Sequence, residues 1–373
     1  MSYPAVKMKD ITLIKTGKLD SNAAVDDGAY PFFTCDPNTL KINNWAYDTE
    51  AVLLAGNNAS GNYTAKYYKG KFNAYQRVYI IETADPLVLN IRYLCYALNQ
   101  QLRLLKTMSS GSTTKFLTLG MLHGLDIPLP SIKVQEQIVY VLAAYDDLIE
   151  NNQKQIKLLE EAAQRLYKEW FVDLRFSGHE TTSITGGVPD GWETKTLTDI
   201  ASVIMGQSPK SEFYNQDGKG LPFHQGVGSY GTRFVIDNTY STSYTRIAEA
   251  DSILFSVRAP VGRLNMTKNK VVIGRGLAAI NHRAGMQSYL FYLLKERFFK
   301  DDIIGNGAIF ASISKDELLG QKFVVPGDDL VAKFNGIVSD IDKKIAGLAD
   351  QITLLTEARD RLLPKLMNGE IEV

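Results

Sequence analysis

Three sets of residues in the sequence carry side chains suited to pairing with the base edges and backbone phosphates of nucleic acids. The first is the run Gly56-Asn57-Asn58-Ala59-Ser60-Gly61, followed by Lys66, Lys69, Lys71 and Arg77 interleaved with Tyr63, Tyr67 and Tyr68. Asn, Ser and Arg can hydrogen-bond base edges, whereas Lys and Arg neutralise phosphate. At the corresponding place in the second half stand Arg258 and Arg263, then Lys268, Lys270 and Arg275. The second set is a glycine loop, Ser109-Ser110-Gly111-Ser112-Thr113-Thr114-Lys115, answered by Gly305-Asn306-Gly307-Ala308-Ile309-Phe310. Backbone amides and short hydroxyls there suit a phosphate. The third is the loop Gly206-Gln207-Ser208-Pro209-Lys210, with Gln225 and Arg233 further on. Any one basic residue is more often a solvated surface charge than a contact, and the tracts carry the stronger signal.

Charge supports the tracts. The chain is neutral overall, with 41 basic and 41 acidic residues. Residues 56–115 nevertheless hold eight basic against two acidic residues, and residues 256–300 nine against one. Residues 131–176 and 327–373 are net acidic, at six against eight and six against nine. Positive charge is thus confined to two separate stretches, the distribution a phosphate backbone requires.

Catalytic signatures are missing from the sequence. It holds no G-x-x-x-x-G-K-[ST], no [DN]-P-P-[YF], no credible cofactor-binding glycine pattern and no H-E-x-x-H. Pro189-Asp190 followed by Glu193-Thr194-Lys195 mimics a metal-dependent nuclease motif, but two intervening residues leave no room for the two strands that would share the metal. His123, His179, His224 and His282 are scattered singly, and Cys35 and Cys95 lie 60 residues apart in one half, so neither a metal knuckle nor a disulfide framework is expected. With no apolar leader and no run of about 18 apolar residues, the expectation is a soluble cytoplasmic protein with no membrane partner.

The elements that would position these loops follow an internal repeat. Residues 145–166 and 341–362 align without a gap at a spacing of 196, with ten of 22 positions identical. Ile138, Leu142, Tyr145, Ile149, Asn152, Ile156, Leu159, Ala163, Leu166 and Trp170 step by four and three, a coiled-coil seam. Phe334, Val338, Ile341, Ile345, Leu348, Ile352, Leu355, Arg359, Leu362 and Leu366 repeat it. Two positions differ in kind. Asn152 is polar where the second copy has Leu348, which either fixes register or marks a helix end or kink, and Arg359 replaces Ala163. If a two-fold axis passes near mid-helix, Asn152 and Leu348 face each other.

Fainter matches precede each helix: Tyr3/Trp192, Asp10/Asp199 and Gly17/Gly206 at a spacing of 189, Val52-Leu53-Leu54 with Ile253-Leu254-Phe255, Gly61 with Gly262, Tyr93-Leu94-Cys95-Tyr96 with Tyr289-Leu290-Phe291-Tyr292, and Gly111 with Gly307. Residues 77–82, 252–257 and 271–273 read as strands and residues 90–105 and 287–299 as helices, making each unit mixed α and β. The aromatics Tyr93, Tyr96, Tyr289, Phe291 and Tyr292 recur at helical spacing and belong in a core. The expected organisation is a first unit over 1–130, a long helix over 131–176, a Gly/Ser/Thr-rich linker over 177–191, a second unit over 192–326 and a long helix over 327–373. About 40 helical residues span near 60 Å. Packed antiparallel, two such helices would hold two DNA readers one to two duplex turns apart, a turn rising about 34 Å.

Residues 125–138 (LDIPLPSIKVQEQI), 168–180 (KEWFVDLRFSGHE), 187–200 (GVPDGWETKTLTDI) and 362–373 (LLPKLMNGEIEV) resemble the conserved regions of type I restriction-modification specificity subunits. The resemblance runs through the whole chain, and its specificity lies in four motifs in order on a half-to-half repeat. It implies an α+β fold of two mixed α/β target-recognition domains in pseudo-two-fold repeat, separated by two long antiparallel coiled-coil helices. It further implies a non-catalytic subunit in which each domain reads one half of a bipartite site on double-stranded DNA. Two methyltransferase (modification) subunits would dock to give an adenine-methylating complex, and restriction/translocase subunits would add ATP-dependent cleavage. S-adenosylmethionine, ATP and Mg are then expected only in the partners, with none in this chain. The resemblance also suggests that the region around Trp170 and Phe171 faces the methyltransferases; the alternative is that those residues end the helix against the linker.

Two other readings stay open on the sequence. A specificity subunit of a related fused restriction-methylation enzyme would share every feature above. A two-headed coiled-coil scaffold would share the helices and show no salt-dependent DNA affinity.

Overall fold

The computed structural model describes residues 3–59, 61–109, 111, 115–298 and 312–373. They form two compact units: Met1–Gln153 with Asp350–Val373, and Lys154–Ala349. The first long helix, Ile132–Tyr167, and the second, Asp328–Met367, each contribute residues to both units.

In the first unit a six-stranded sheet runs in the order Thr12–Thr16, Val78–Thr83, Tyr47–Ala55, Ala65–Ala74, Tyr30–Phe33, Leu40–Ile42. Only the pairing of Tyr30–Phe33 with Ala65–Ala74 is parallel. Strand alternation puts Val52, Leu54 and Ile81 on one face, under the helix Ile91–Met108 and the long-helix residues Ile138, Leu142, Leu366 and Met367. Ala51, Leu53 and Ile80 point the other way, into a second core with Phe33, Phe72 and Tyr68.

The second unit repeats this plan. Ala201–Met205, Leu277–His282, Ile253–Ser256 and Leu264–Met266 form an antiparallel sheet in that order. Leu221–His224 pairs in parallel with Val271–Ile273, as Tyr30–Phe33 does with Ala65–Ala74. The register is also shared: Ile14, Ile81 and Val52 lie side by side in one unit, and Val203, Ile280 and Ile253 in the other. Helix Gln287–Phe298 covers the inner face with Ala163, Tyr167, Phe334 and Val338. The aromatics assigned to the core are there: Tyr93, Tyr96, Tyr289, Phe291 and Tyr292 are all buried.

Gly17 and Gly206, matched in the sequence, have one physical role. In each unit the end of the first strand curls back onto the sheet, the Lys18 amide bonding Ala74 O at 3.3 Å and the Gln207 amide bonding Ile273 O at 2.9 Å. A Cβ on Gly17 would lie 2.2 Å from Ala74 O, and one on Gly206 would lie 2.2 Å from Gly274 O. No side chain gives way there; backbone must move. Gly17→Ala and Gly206→Ala are each expected to cost about 3 kcal/mol, read as a lower urea midpoint. Unchanged midpoints would mean that the sheet does not close as described.

The long helices pack antiparallel. Within the first unit Asp146 meets Arg359 and Asn152 meets Gln351, so position falls along one helix as it rises along the other. Every seam residue is buried or half-buried, including Tyr145, Ile149, Ile156, Leu159, Leu166, Ile341, Ile345, Leu348, Ile352, Leu355 and Leu362. The helix runs through Asn152 without a break, and its buried side-chain amide donates to Gln351 Oε1 at 3.1 Å. Asn152 therefore does not mark a helix end. Its partner is Gln351, three residues beyond Leu348. After Tyr167 the helix ends in a π-helical turn, Lys168–Val172, with Trp170 and Phe171 packed around Phe334.

The stretch assigned as linker has structure of its own. Ile184–Thr185 and Val188–Pro189 form a hairpin whose two-residue turn, Gly186-Gly187, has φ of 60° and 83°. Both angles are positive, the requirement of a type I′ turn.

Candidate nucleic-acid interface

The curl of each sheet gathers loops that are far apart in sequence. In the first unit the Gly56 amide bonds Arg77 O at 2.8 Å and the Leu117 amide bonds Gly56 O at 2.8 Å. Asn57 and Asn58 pair with Phe116 and Lys115 in a short antiparallel ladder, which joins the asparagine loop to the glycine loop. Gly61, with φ of 72°, turns the chain back. A Cβ there would lie 3.2 Å from Lys106 Cγ, and the Lys106 ammonium donates to Asn62 Oδ1 at 2.7 Å. Lys18, Arg77, Lys106 and Lys115 thus make a basic rim. Asn58 Oδ1 is occupied, accepting the Asn62 amide at 3.1 Å, whereas the Asn57 side chain makes no hydrogen bond among the described residues.

The second unit builds the same rim from other side chains. The Val257 amide bonds Gly276 O, and the Ile313 amide bonds Val257 O, each at 2.9 Å. Arg258 forms an antiparallel bridge with Ser312, just as Asn57 does with Phe116, 196 residues earlier. Gly274 and Gly276 dock on the backbone of His224 and Gln225, and the Arg275 amide donates to Ser208 Oγ at 3.2 Å. Gln207, Gln225, Arg258 and Arg275 are all exposed, and their side chains have no hydrogen-bond or ion-pair partner among the described residues. A cavity of about 150 Å³ beside Arg258 is lined by Gln225, Gly226, Val227, Ser256, Ala259 and Gly276. By register Lys18 corresponds to Gln207, Gln76 to Arg275 and Asn57 to Arg258.

The remaining basic residues do not share one surface. Lys66 and Lys69 point to opposite faces of their strand. The Lys66 ammonium donates to Thr39 Oγ1 at 3.1 Å, and burial lowers its pKa. Lys69 pairs with Glu50 at 3.0 Å, and Lys71 sits over the Trp45 ring at 4.6 Å. Lys210 lies 3.8 Å from Glu212, Lys270 pairs with Glu249 at 3.0 Å, and Lys268 lies over the Phe234 ring at 4.7 Å. Arg263 is half-buried, its amide donating to Ser256 Oγ at 2.8 Å. Ser60, Ser112 and Thr113, and residues 305–310 of the second glycine loop, lie outside the described residues.

Arg233 corrects the expectation of a DNA contact. It is only 3% exposed, its guanidinium stacks on Phe291 at 3.5 Å from the ring centre, and it binds Asp342 at 2.7 Å with Glu160 at 3.7 Å. Burial raises the pKa of both carboxyls, opposed by Arg233. The residue ties its loop to the two long helices within the second unit. Asp342 is the repeat equivalent of Asp146, which takes its arginine from the other long helix, Arg359 at 2.8 Å.

His224, expected to be a structural or surface side chain, is fully buried. Its ring joins Ser229 Oγ at 2.9 Å to Asp237 Oδ1 at 3.0 Å. The order Ser-His-Asp is that of an activated nucleophile, but Ser229 also lies 3.2 Å from Gly226 O, closing the loop that carries Gln225. The chain of bonds accordingly acts as a brace for the rim. Among the described residues no cluster of metal-ligating side chains occurs, and no helix is long and apolar enough to cross a membrane.

Lys18, Gln76, Lys106 and Asn62 join the rims without having been singled out from the sequence, whereas Ser208 belongs to the third candidate loop. The 189-residue match of Gly17 with Gly206 was the available signal for Lys18, since it sets Lys18 opposite Gln207.

Two copies of one domain joined by paired helices define a class, and comparison with known proteins says which. Residues 3–161 and 189–353 each match the type I restriction modification DNA specificity domain. The chain belongs to that family, with two specificity domains. A chain of Methanocaldococcus jannaschii assigned as the MjaX type I restriction enzyme specificity subunit is 33% identical over 258 residues, 68% of this chain and 60% of that one. The MjaIX specificity subunit of the same organism is 29% identical over 305 residues, 78% and 70% of the two chains. The crystal structure of a type I restriction-modification S subunit from M. genitalium has the same fold, with a TM-score of 0.61 and 18% identity over 98% of this chain and 96% of that one.

Proposed function

We propose that this chain is the non-catalytic DNA-recognition subunit of a type I restriction-modification complex, each unit reading one half of a bipartite site. The observation that carries the reading is the pair of equivalent rims: one backbone scaffold, used twice, with different unengaged polar and basic side chains. Two different half-sites call for that combination, whereas a scaffold protein would have no use for it. The long helices act as the spacer between half-sites and as the platform on which two methyltransferase subunits dock, with restriction/translocase subunits completing the complex in the cytoplasm. Adenine methylation and ATP-dependent cleavage belong to those partners, as do S-adenosylmethionine, ATP and Mg.

The spacer role has a direct test. Inserting one heptad into each long helix, in register, lengthens the pair by about 10 Å, equal to about three base pairs of duplex. The preferred gap between half-sites should change while the half-sites themselves stay the same. A gap that does not move removes the helices from that role.

A further inference from the structure

We propose that Asn57 and Arg258 are the equivalent base-reading residues of the two units, Asn57 for adenine in one half-site and Arg258 for guanine in the other. This assignment rests on the DNA-recognition reading above and sharpens it to one residue in each unit.

Three observations single out the pair. The backbone before each residue is held identically, by the Gly56 amide on Arg77 O and the Leu117 amide on Gly56 O in one unit, and by the Val257 amide on Gly276 O and the Ile313 amide on Val257 O in the other. Each residue then bridges to a partner, Phe116 or Ser312, and these two partners are repeat equivalents 196 positions apart from each other. A side chain that reads a base must project from fixed backbone, and these two project from the same fixed point. Both side chains, moreover, have no hydrogen-bond or ion-pair partner among the described residues. Several other candidates are otherwise employed: Asn58 closes its turn, Lys69 and Lys270 are ion-paired, and Arg233 is buried. Gln207, Gln225 and Arg275 are unengaged but lack the shared bridge that fixes Asn57 and Arg258.

The chemistry of the two side chains then decides the bases. A carboxamide matches the N6 donor and N7 acceptor of adenine, and a guanidinium fork matches the O6 and N7 acceptors of guanine. Lys18 and Arg77 on one rim and Arg275 on the other supply cations for the flanking phosphates.

The test is selection from a randomised DNA duplex library by the full chain and by N57A, R258A and R258K, with urea midpoints to establish that each variant is folded. The wild type is expected to enrich a split motif. N57A should lose preference at one adenine in one half, and R258A at one guanine in the other, each by about ten- to a hundredfold, with every other position unchanged. R258K keeps the charge and loses the fork, so it should lose the guanine preference while retaining the salt dependence of binding. Unchanged motifs, or weakening spread evenly over all positions, would overturn the assignment while the split motif upholds the recognition reading. A wild type that enriches no motif, or an unsplit one, would overturn both.

Discussion

Replacing Arg233 with alanine is expected to lower stability by about 3 kcal/mol, because it strands two largely but not fully buried carboxylates. The guanidinium lies between Asp342 at 2.7 Å and Glu160 at 3.7 Å, whose side chains are only 16% and 20% exposed. Its Nε and Nη1 make no hydrogen bond among the described residues, so its contribution is concentrated in the two ion pairs and the Phe291 stack. The pH dependence follows from the direction of the carboxyl shifts. Burial raises the pKa of both Asp342 and Glu160. The folded state then keeps protons that the unfolded chain has released, so these groups favour folding at low pH, and their contribution falls as pH rises through the raised values. Removing Arg233 removes the opposing effect and raises both values further. The R233A defect should therefore be larger at about pH 8 than at about pH 5, as read by urea denaturation. A defect that does not depend on pH would mean that the ion pairs are not what Arg233 supplies.

The largest effect on binding is expected from the exposed arginines of the second rim. R258A/R275A together should weaken DNA binding by about a hundredfold or more if each loses a base or phosphate contact. The slope of log affinity against log salt should fall by about 0.9, the share of one phosphate contact, since Arg275 is assigned to a phosphate and Arg258 to a base. Lys69→Ala and Lys270→Ala make the contrast. Those ammonium groups already pair with Glu50 and Glu249, and each removal should change affinity by less than about threefold. Fluorescence anisotropy over a salt series separates the two cases. Equal losses from all four substitutions would point to diffuse attraction without a defined rim.

Periodicity made the helices and their repeat legible, because a seam that alternates four and three depends only on local spacing. The strands at residues 77–82, 252–257 and 271–273 and the helix at 287–299 were likewise legible to within a residue or so of the observed elements. What sequence could not show was convergence. Gln207, Gln225, Arg258 and Arg275 meet only because each sheet curls at a glycine, and Lys66 separates from Lys69 only because strands alternate. Arg233 illustrates the same limit: its partners lie 73 residues before it and 109 after, at Glu160 and Asp342, so burial was invisible locally. The hairpin within residues 177–191 was a different kind of omission. Gly186-Gly187 between Ile184-Thr185 and Val188-Pro189 is a two-residue turn signal that composition alone concealed.

Footprinting on a duplex enriched by the full chain shows whether two equivalent rims read two different half-sites. The wild type should protect two segments separated by an unprotected gap. R258A/R275A should weaken one segment and N57A the other, each leaving its counterpart in place. A single continuous footprint, or two segments that fade together whichever rim is altered, would contradict the account.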